Sequence, residues 1–395
     1  MNRIDEIKNR IKEIELELES TKPLADKANV YQMGLKILNN SMYGALSGHG
    51  TTFAGHSEYF GSAITSCARV ANLIVGQNQS KLINRLVGLE SREIRYGLLT
   101  HLDNVAQQDT DSNIIGIEPI LIKKFGKDYK SLGAEFISEF ILKFVNKVAL
   151  PEIRNVLDNE YGFTQNAYLL DKLQEDTEII ADSFISLLPK MYFCRKIYDE
   201  GLFYKPEDYK LKITGLSPIR NTTPKYFKTE LKKAMNILID ADIQKVAEYI
   251  KNVKMETSKR SPNEICINQS VSSLDYTYDP IIDKYRKWNG KKFLSAPVNS
   301  YASLSHNKYV ADNKLNIKQL EAGDKISFVY MKGPNMANTK AFAFKDESVF
   351  NHGLKDYIDY NTMFEKGFLS GIKLITDPLG WDLTPQEDLI NMDDW

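Results

Sequence analysis

The chain has 395 residues, 43% of them hydrophobic and 26% charged, with a formal net charge of −1. That length allows two or three domains with sizeable cores, and the composition is that of a globular protein rather than a disordered or fibrous one. The near-neutral balance excludes a uniformly basic nucleic-acid binder. Three cysteines without a C-x-x-C pair, and five histidines without ligand spacing, point to a reducing compartment and away from a zinc site. No apolar run approaches the ~18 residues of a membrane span, and the charged opening residues do not read as a secretory signal.

Met1–Ser20 reads as one helix, because Ile4, Ile7, Ile11, Ile14 and Leu18 recur at three-and-four spacing as a narrow coiled-coil-type seam. Pro23 is expected to end or bend it. A second helical segment should run to about Leu46, so that the two form a helical hairpin. On that second segment Lys36, Asn40 and Tyr43 stand at i, i+4 and i+7 and share one face. An ammonium, an amide and a phenol on one stripe can meet a phosphate chain, a sugar and a base plane in order; the plainer alternative is a polar face turned to solvent. Leu35, Leu38 and Met42 lie on another face, suited to packing, and Gly44 allows close backbone approach.

Gly48–Gly55 reads as a loop, and Glu58 to about Val87 as a helix with Ile64, Val70, Leu73 and Ile74 buried. A β segment at Tyr96–Val105 should lead into Gln107-Gln108-Asp109-Thr110-Asp111-Ser112-Asn113-Ile114-Ile115-Gly116. The local pattern predicts a hairpin turn at Asp109–Asp111 and a strand through Asn113–Ile117. Residues i and i+2 of an extended turn project to one side, so Asp109 and Asp111 can converge on a cation. Hard divalent ions such as Mg²⁺ take oxygen ligands and complete their shell with phosphates and waters. A solvated D-x-D loop is the commoner outcome for that pattern taken alone.

Phe136, Ile137, Phe140, Ile141, Phe144, Val145 and Val148 form the buried stripe of a helix. Ile185–Tyr198, Tyr209–Thr214, Lys325–Met331 and Ala341–Phe344 read as strands, and Thr223-Pro224 opens a long helical region to about Met255. Lys205–Arg260 carries thirteen basic against seven acidic residues, whereas six acidic and no basic residues follow Lys373. This asymmetry fits a basic ligand-facing region and an acidic tail.

In this order the motifs resemble family B DNA polymerases, from about Gln32 to the C-terminus. Lys36…Asn40-Ser41-Met42-Tyr43-Gly44 is similar to the fingers motif K-x-x-x-N-S-x-Y-G. Asp109-Thr110-Asp111-Ser112 is similar to the palm motif G-D-T-D-S, and Lys190-Met191-Tyr192 to the K-x-Y element that follows it. Lys212-Ile213-Thr214-Gly215 with Thr223-Pro224 resembles the passage into the thumb. Gly323-Asp324-Lys325-Ile326 and Tyr357-Ile358-Asp359-Tyr360 resemble thumb segments of T-even-like bacteriophage replicative enzymes.

The resemblance implies an α+β fold, the C-terminal part of a right-hand polymerase: fingers at 1–48, palm with an antiparallel sheet at 49–215, and a mostly helical thumb with a C-terminal tail at 216–395. It implies Asp111 as the direct Mg²⁺ ligand with Asp109 tuning the shell. Lys36, Asn40 and Tyr43 would hold the deoxynucleoside triphosphate, and Lys190 and Tyr192 the primer–template minor groove. Leu389–Trp395 resembles, loosely, a sliding-clamp peptide. The family's other catalytic carboxylate, from D-x-x-S-L-Y-P, has no match upstream of Lys36; Asp182–Pro189 is one residue too long and follows the acidic turn. The expectation is therefore the C-terminal half of a split enzyme, active with an N-terminal partner half in the cytoplasm of an infected bacterium, its Ile4–Leu18 seam packing on the partner. The alternative is a non-catalytic DNA- or clamp-binding remnant. Gln108 departs from the family's Gly, and Pro189 and Met191 from its basic residues. The spacing from Lys190 to Tyr198-Asp199 is one residue long, which leaves Tyr192 and Phe193 as alternatives at the minor groove.

Overall fold

The computed structural model describes residues 3–48, 57–88, 104–109, 112–159, 175–282, 284–381 and 383. The fold is α+β, with long helices and separate antiparallel sheets. The chain divides into two compact units: Met1–Pro119 with Ile153–Ala167, and Ile120–Glu152 with Tyr168–Trp395.

The first unit opens with α1, a single helix of 45 residues from Arg3 to Ser47, about 68 Å long at the α-helical rise. The turn expected at Pro23 is absent, and Pro23 sits inside the helix. Proline removes one hydrogen bond and crowds the carbonyl four residues back; flanking Leu, Glu, Lys and Ala, all strong helix formers, carry the helix through. Leu35, Leu38 and Met42, expected to pack, are exposed, as is Ile14 of the seam. The side chains of Ile4, Ile7, Ile11 and Leu18 lie outside the described residues. Helix α2 (Glu58–Val87) follows. Of its four expected core residues only Ile74 is buried; Ile64, Val70 and Leu73 are exposed, and Ala71, Val75, Leu82 and Ile83 are buried instead. Strands β1 (Val105–Asp109) and β2 (Ser112–Ile115) pair antiparallel, with Asp109 opposite Ser112.

Helices α3 (Glu118–Phe125), α4 (Ala134–Phe144) and α5 (Leu150–Asn159) come next, with one π-helical turn, Val145–Ala149, between the last two. In α4, Ile137 and Ile141 are buried and Phe140 meets Phe125 edge-on at 4.9 Å. Phe136 and Val148, expected in the same stripe, are exposed.

The second unit contains a four-stranded antiparallel sheet of β3 (Ile179–Leu188), β4 (Met191–Asp199), β5 (Leu202–Phe203) and β6 (Lys210–Thr214). Ile185–Tyr198 is thus a hairpin that turns at Pro189-Lys190: proline has no donor for the ladder, and Lys190 takes φ +62°. Arg195 of β4 grips Asp182 of β3 with two nitrogens, at 3.0 and 2.7 Å, and Asp240 with a third at 2.6 Å. Those bonds, Asp182 first, hold its guanidinium pKa well above the usual arginine value.

The long helical region expected to about Met255 is made of two helices, α6 (Lys225–Leu238) and α7 (Ile243–Thr257). Ala241 at φ +56° breaks the run, and Asp242 caps α7 by accepting from the Lys245 N–H at 3.1 Å. Then come α8 (Pro262–Ile265), β7 (Ile267–Ser270), β8 (Thr277–Asp279), β9 (Lys284–Trp288), β10 (Phe293–Ser295) and α9 (Val298–Asp312). Strands β11 (Lys325–Tyr330) and β12 (Ala341–Phe344) and helices α10 (Tyr360–Phe364) and α11 (Ser370–Thr376) complete the described elements. The core joins Phe227, Leu231, Met235 and Leu238 of α6 to Val246 and Ile250 of α7, Phe342 and Phe344 of β12, and Phe364, Phe368 and Ile372. A Cβ on Gly367 would overlap the Phe227 ring, so the absence of a side chain there lets the backbone close on the aromatic.

Candidate active site

The sequence-derived site residues fall in both units. In the first, α1 carries Lys36, Asn40 and Tyr43 on one exposed face. The C-terminal end of α1 is fastened to the start of α2. The Tyr43 hydroxyl donates to the Gly61 carbonyl at 3.3 Å, and the Ser57 N–H donates to the Leu46 carbonyl at 2.8 Å. A Cβ on Gly61 would overlap Ser47, so only glycine permits this approach.

Helix α2 then holds the β1–β2 hairpin through one stripe, Asn72, Gly76, Ser80 and Asn84, spaced by four residues and so on one face. The Asn72 side-chain amide donates to the Asp109 carbonyl, and to that of Ser112 at 3.0 Å. The Asn72 carbonyl accepts from Gln108 Nε2 and Asn113 Nδ2, both at 3.2 Å. Gln108 Nε2 also donates to Asn113 Oδ1 at 2.8 Å, across the hairpin. Gly76 leaves the space those amides fill: a Cβ there would lie 2.5 Å from Gln108 Nε2 and 3.2 Å from Asn113 Oδ1. At the far end, Ser80 Oγ accepts from the Asn104 N–H at 2.9 Å and Asn84 Oδ1 accepts from Asn104 Nδ2 at 3.0 Å.

Asp109 therefore ends β1 with its backbone anchored on α2 and its side chain partly exposed. The register leaves a two-residue connection, 110–111, so Asp111 and Thr110 lie outside the described residues. Among the described residues no cluster of three or more His, Cys, Asp or Glu is gathered as a metal site. The chemistry on the hairpin, carboxylate oxygens at Asp109 and two residues on, is the hard donor type that suits Mg²⁺. The tail Leu389–Trp395 and most of the expected Tyr96–Val105 strand also lie outside the described residues.

In the second unit, Lys190 is exposed in the β3–β4 turn and Tyr192 is half-buried on β4, its ring 5.4 Å from that of Phe184. Phe193, the alternative to Tyr192, points to the opposite face and is fully buried in the core. Within the basic region, Lys233, Lys245 and Lys259 pair with Glu230, Asp242 and Glu256 at 3.0, 2.8 and 2.6 Å. Surface ion pairs of this kind contribute little to stability.

Sequence reasoning singled out Lys36, Asn40, Tyr43 and Asp109 as candidates and passed over the residues that hold their elements in place: Asn72, Gly76, Ser80, Asn84 and Asn113. The available signal was a run of amide and small residues every fourth position through α2.

No protein-family model matches the chain. The DNA-directed DNA polymerase of Enterobacteria phage T4 is 22% identical over 390 residues, covering 94% of this chain and 40% of the phage protein. That of Escherichia phage RB69 is 24% identical over 413 residues, covering 99% and 42%. The chain thus spans about two fifths of the length of these relatives. A shorter similarity, 23% over 270 residues, links it to exocyst complex component 1 of Dictyostelium discoideum and covers 68% of this chain and 26% of that one. Among solved structures, a family B DNA polymerase from Pyrobaculum calidifontis covers 88% of this chain and 33% of its own, at a TM-score of 0.44 and 14% identity. The chain is thus similar, over nearly its whole length, to part of the DNA-directed DNA polymerases of both phages.

Proposed function

We propose that this chain supplies part of the catalytic centre of a template-directed DNA polymerase. In this reaction the primer 3′-OH attacks the α-phosphate of a bound deoxynucleoside triphosphate and pyrophosphate leaves. Asp109 and Asp111 would hold Mg²⁺, whose chemistry, when bound, is to stabilise charge on the attacking and leaving oxygens. Lys36 and Asn40 neutralise and orient the triphosphate from the exposed face of α1, and such preplaced charge lowers the barrier to phosphoryl transfer. Tyr43 packs at the nascent base pair. Lys190 and Tyr192 face the primer–template minor groove, whose acceptors recur at every base pair and so test pairing without reading sequence. Tyr192 takes that role rather than Phe193, because Phe193 is part of the core. The lysines of α6 and α7 add phosphate contacts without sequence information.

The observation that carries this reading is α2. It holds Tyr43 at Gly61 and the Asp109 hairpin at Asn72, and so fixes the triphosphate-facing helix and the carboxylate turn on one rigid element. The two anchor points are eleven residues, or about 16 Å, apart along the helix. The remaining carboxylate of the family pattern comes from an N-terminal polymerase portion, and the hypothesised arrangement is a heterodimer with that half. A sliding clamp would engage Leu389–Trp395, and the enzyme would act in the cytoplasm of an infected bacterium.

The test is primer extension by the chain alone, by an N-terminal polymerase portion containing D-x-x-S-L-Y-P, and by both together. Synthesis only in the mixture supports a split enzyme. Synthesis by the N-terminal portion alone, unaffected by this chain, supports the DNA- or clamp-binding alternative.

A further inference from the structure

We propose that α1 pairs with α1 of a second copy of this chain, as an antiparallel coiled coil whose two-fold axis lies at Thr21. Along this helix an apolar stripe stands in water: Ile14, Leu35 and Leu38 are exposed, Leu24 is 68% exposed and Tyr31 70%. Most helices in folded proteins are stabilised by packing such a stripe. From Ile4 the stripe advances by 3, 4, 3, 4 and 3 residues to Thr21, and then by 3, 4, 3, 4 and 3 to Leu38. Steps of three and four are the coiled-coil repeat. The doubled step of three at Thr21 breaks that repeat, and it makes the spacing identical when read from either end.

That symmetry selects a second copy as the occupant, because a two-fold interface sets residue i against j and j against i. With the axis at Thr21, Ile4 stands opposite Leu38, Ile7 opposite Leu35, Ile11 opposite Tyr31, Ile14 opposite Ala28 and Leu18 opposite Leu24. Every one of these layers is apolar. Ala28 meets an isoleucine, whereas a parallel pairing would set Ala28 against Ala28 and Tyr31 against Tyr31, one layer underfilled and the next crowded. Thr21 meets only itself. Its hydroxyl already donates to the Glu17 carbonyl of its own helix at 2.9 Å, so no donor is buried unpaired on the axis. Pro23 lies off the stripe and leaves it unbroken.

The positions beside the stripe agree with this register. Exposed Glu17 comes beside Lys27 of the partner subunit, and by symmetry Lys27 beside the partner's Glu17. Arg10 comes beside a glycine, position 34, and Lys8 beside a glutamine, position 32, so no like charges meet. A parallel pairing would bring Arg3 beside Lys8. Charges at such positions set the orientation of a coiled coil. The paired stretch is about 51 Å long at the α-helical rise. Lys36, Asn40 and Tyr43 lie on another face of the helix, which the pairing leaves open. The proposal goes beyond the polymerase reading, which gives the Ile4–Leu18 seam to an N-terminal portion. The two occupants exclude one another, so the homodimer is the form of the chain without that portion.

The experiment measures the mass of the full chain by sedimentation velocity over a range of micromolar concentrations. The wild type should run at twice the chain mass. Leu24→Glu with Tyr31→Glu puts charges into two layers and should return the chain to a monomer. Val30→Glu with Met33→Glu changes exposed apolar residues outside the stripe and should leave the dimer intact. Glu17→Lys should weaken dimerisation by about tenfold, and adding Lys27→Glu should restore it. In a Cys67→Ser background, chosen because Cys67 is exposed, Thr21→Cys should oxidise to a covalent dimer and Ala28→Cys should not. All the substituted side chains on α1 are exposed, and an unchanged near-UV circular dichroism spectrum confirms that the rest of the chain folds. A wild type that stays monomeric overturns the proposal and leaves the stripe to another chain. A dimer that survives Leu24→Glu with Tyr31→Glu also overturns it, because it must use a different surface. A covalent dimer through Ala28→Cys overturns the antiparallel register. Because no synthesis is measured, each result is independent of whether the polymerase reading stands.

Discussion

The side-chain amide of Asn72 donates to the main-chain carbonyls of Asp109 and Ser112, one on each strand of the hairpin, so a single residue of α2 fixes the two ends of the acidic turn. Asn72→Ala leaves both carbonyls without that donor, at a local cost of about 1–3 kcal/mol. Faster amide hydrogen exchange at 105–115 is predicted in the isolated chain. In the proposed assembly with an N-terminal polymerase portion, kcat for primer extension should fall by about a hundredfold, the scale of an ångström-sized misplacement. Wild-type exchange and rate in Asn72→Ala would remove α2 from the account.

Gly76 and Gln108 form a matched pair. The Gln108 amide fills the space above Gly76 and bonds the Asn72 carbonyl. Gly76→Ala pushes that amide from its bonds to Asn72 and Asn113, whereas Gln108→Gly removes the obstacle. Gly76→Ala should therefore destabilise the chain alone and much less in the Gln108→Gly background. A double-mutant cycle by chemical denaturation should give a coupling of about 1–2 kcal/mol. Additive effects would contradict the pairing.

How far the sequence could be read follows from the same residues. Lys36, Asn40, Tyr43, Asp109 and Asp111 stand out as candidates in the sequence because of their spacing, and the β1–β2 hairpin expected around Asp109 is present. The strand pair β11–β12 was legible from β-branched and aromatic runs. Asn72, Ser80 and Asn84 were not, because amide and hydroxyl residues signal caps and turns as readily as bonds to a distant backbone. Pro23 misled because a local rule, proline ends helices, is overridden by strong helix formers on either side. Val70 and Leu73 were assigned to a core on helical period alone, yet the buried face of α2 is the one that carries Ala71, Ile74, Val75, Leu82 and Ile83 together with Ser80 and Asn84.

Gly215 meets the β3–β4 turn in the same way that Gly76 meets Gln108. It has φ +67°, and a Cβ on it would overlap the Lys190 carbonyl oxygen. Gly215→Ala combines backbone strain with displacement of that turn, a cost of about 1–3 kcal/mol. The predicted outcome is a lower denaturation midpoint together with weaker primer–template affinity, because Lys190 moves. A variant as stable as wild type would show that the turn is free to shift.

His306 gives the second unit a pH dependence. It is buried, with Nδ1 2.8 Å from the Ala343 carbonyl and Nε2 3.4 Å from that of Lys318. Burial lowers its pKa from 6.5, outweighing the hydrogen bonds that raise it. The folded state therefore binds its proton less readily than the unfolded chain. This contribution is complete above the unfolded value of about 6.5 and is lost as pH falls through the lower folded value. Unfolding midpoints should drop between about pH 7 and pH 5, and His306→Gln should flatten that drop. An unchanged slope in His306→Gln would contradict it.

The central claim is that the turn at Asp109–Asp111 serves nucleotidyl transfer. The most direct measurement is primer extension by the assembled enzyme, comparing wild type with Asp111→Ala under identical Mg²⁺, template and triphosphate concentrations, with binding of the N-terminal portion checked by gel filtration. The account predicts that Asp111→Ala still assembles and binds primer–template, and that incorporation falls to background. Incorporation at the wild-type rate in the assembled Asp111→Ala enzyme would contradict it.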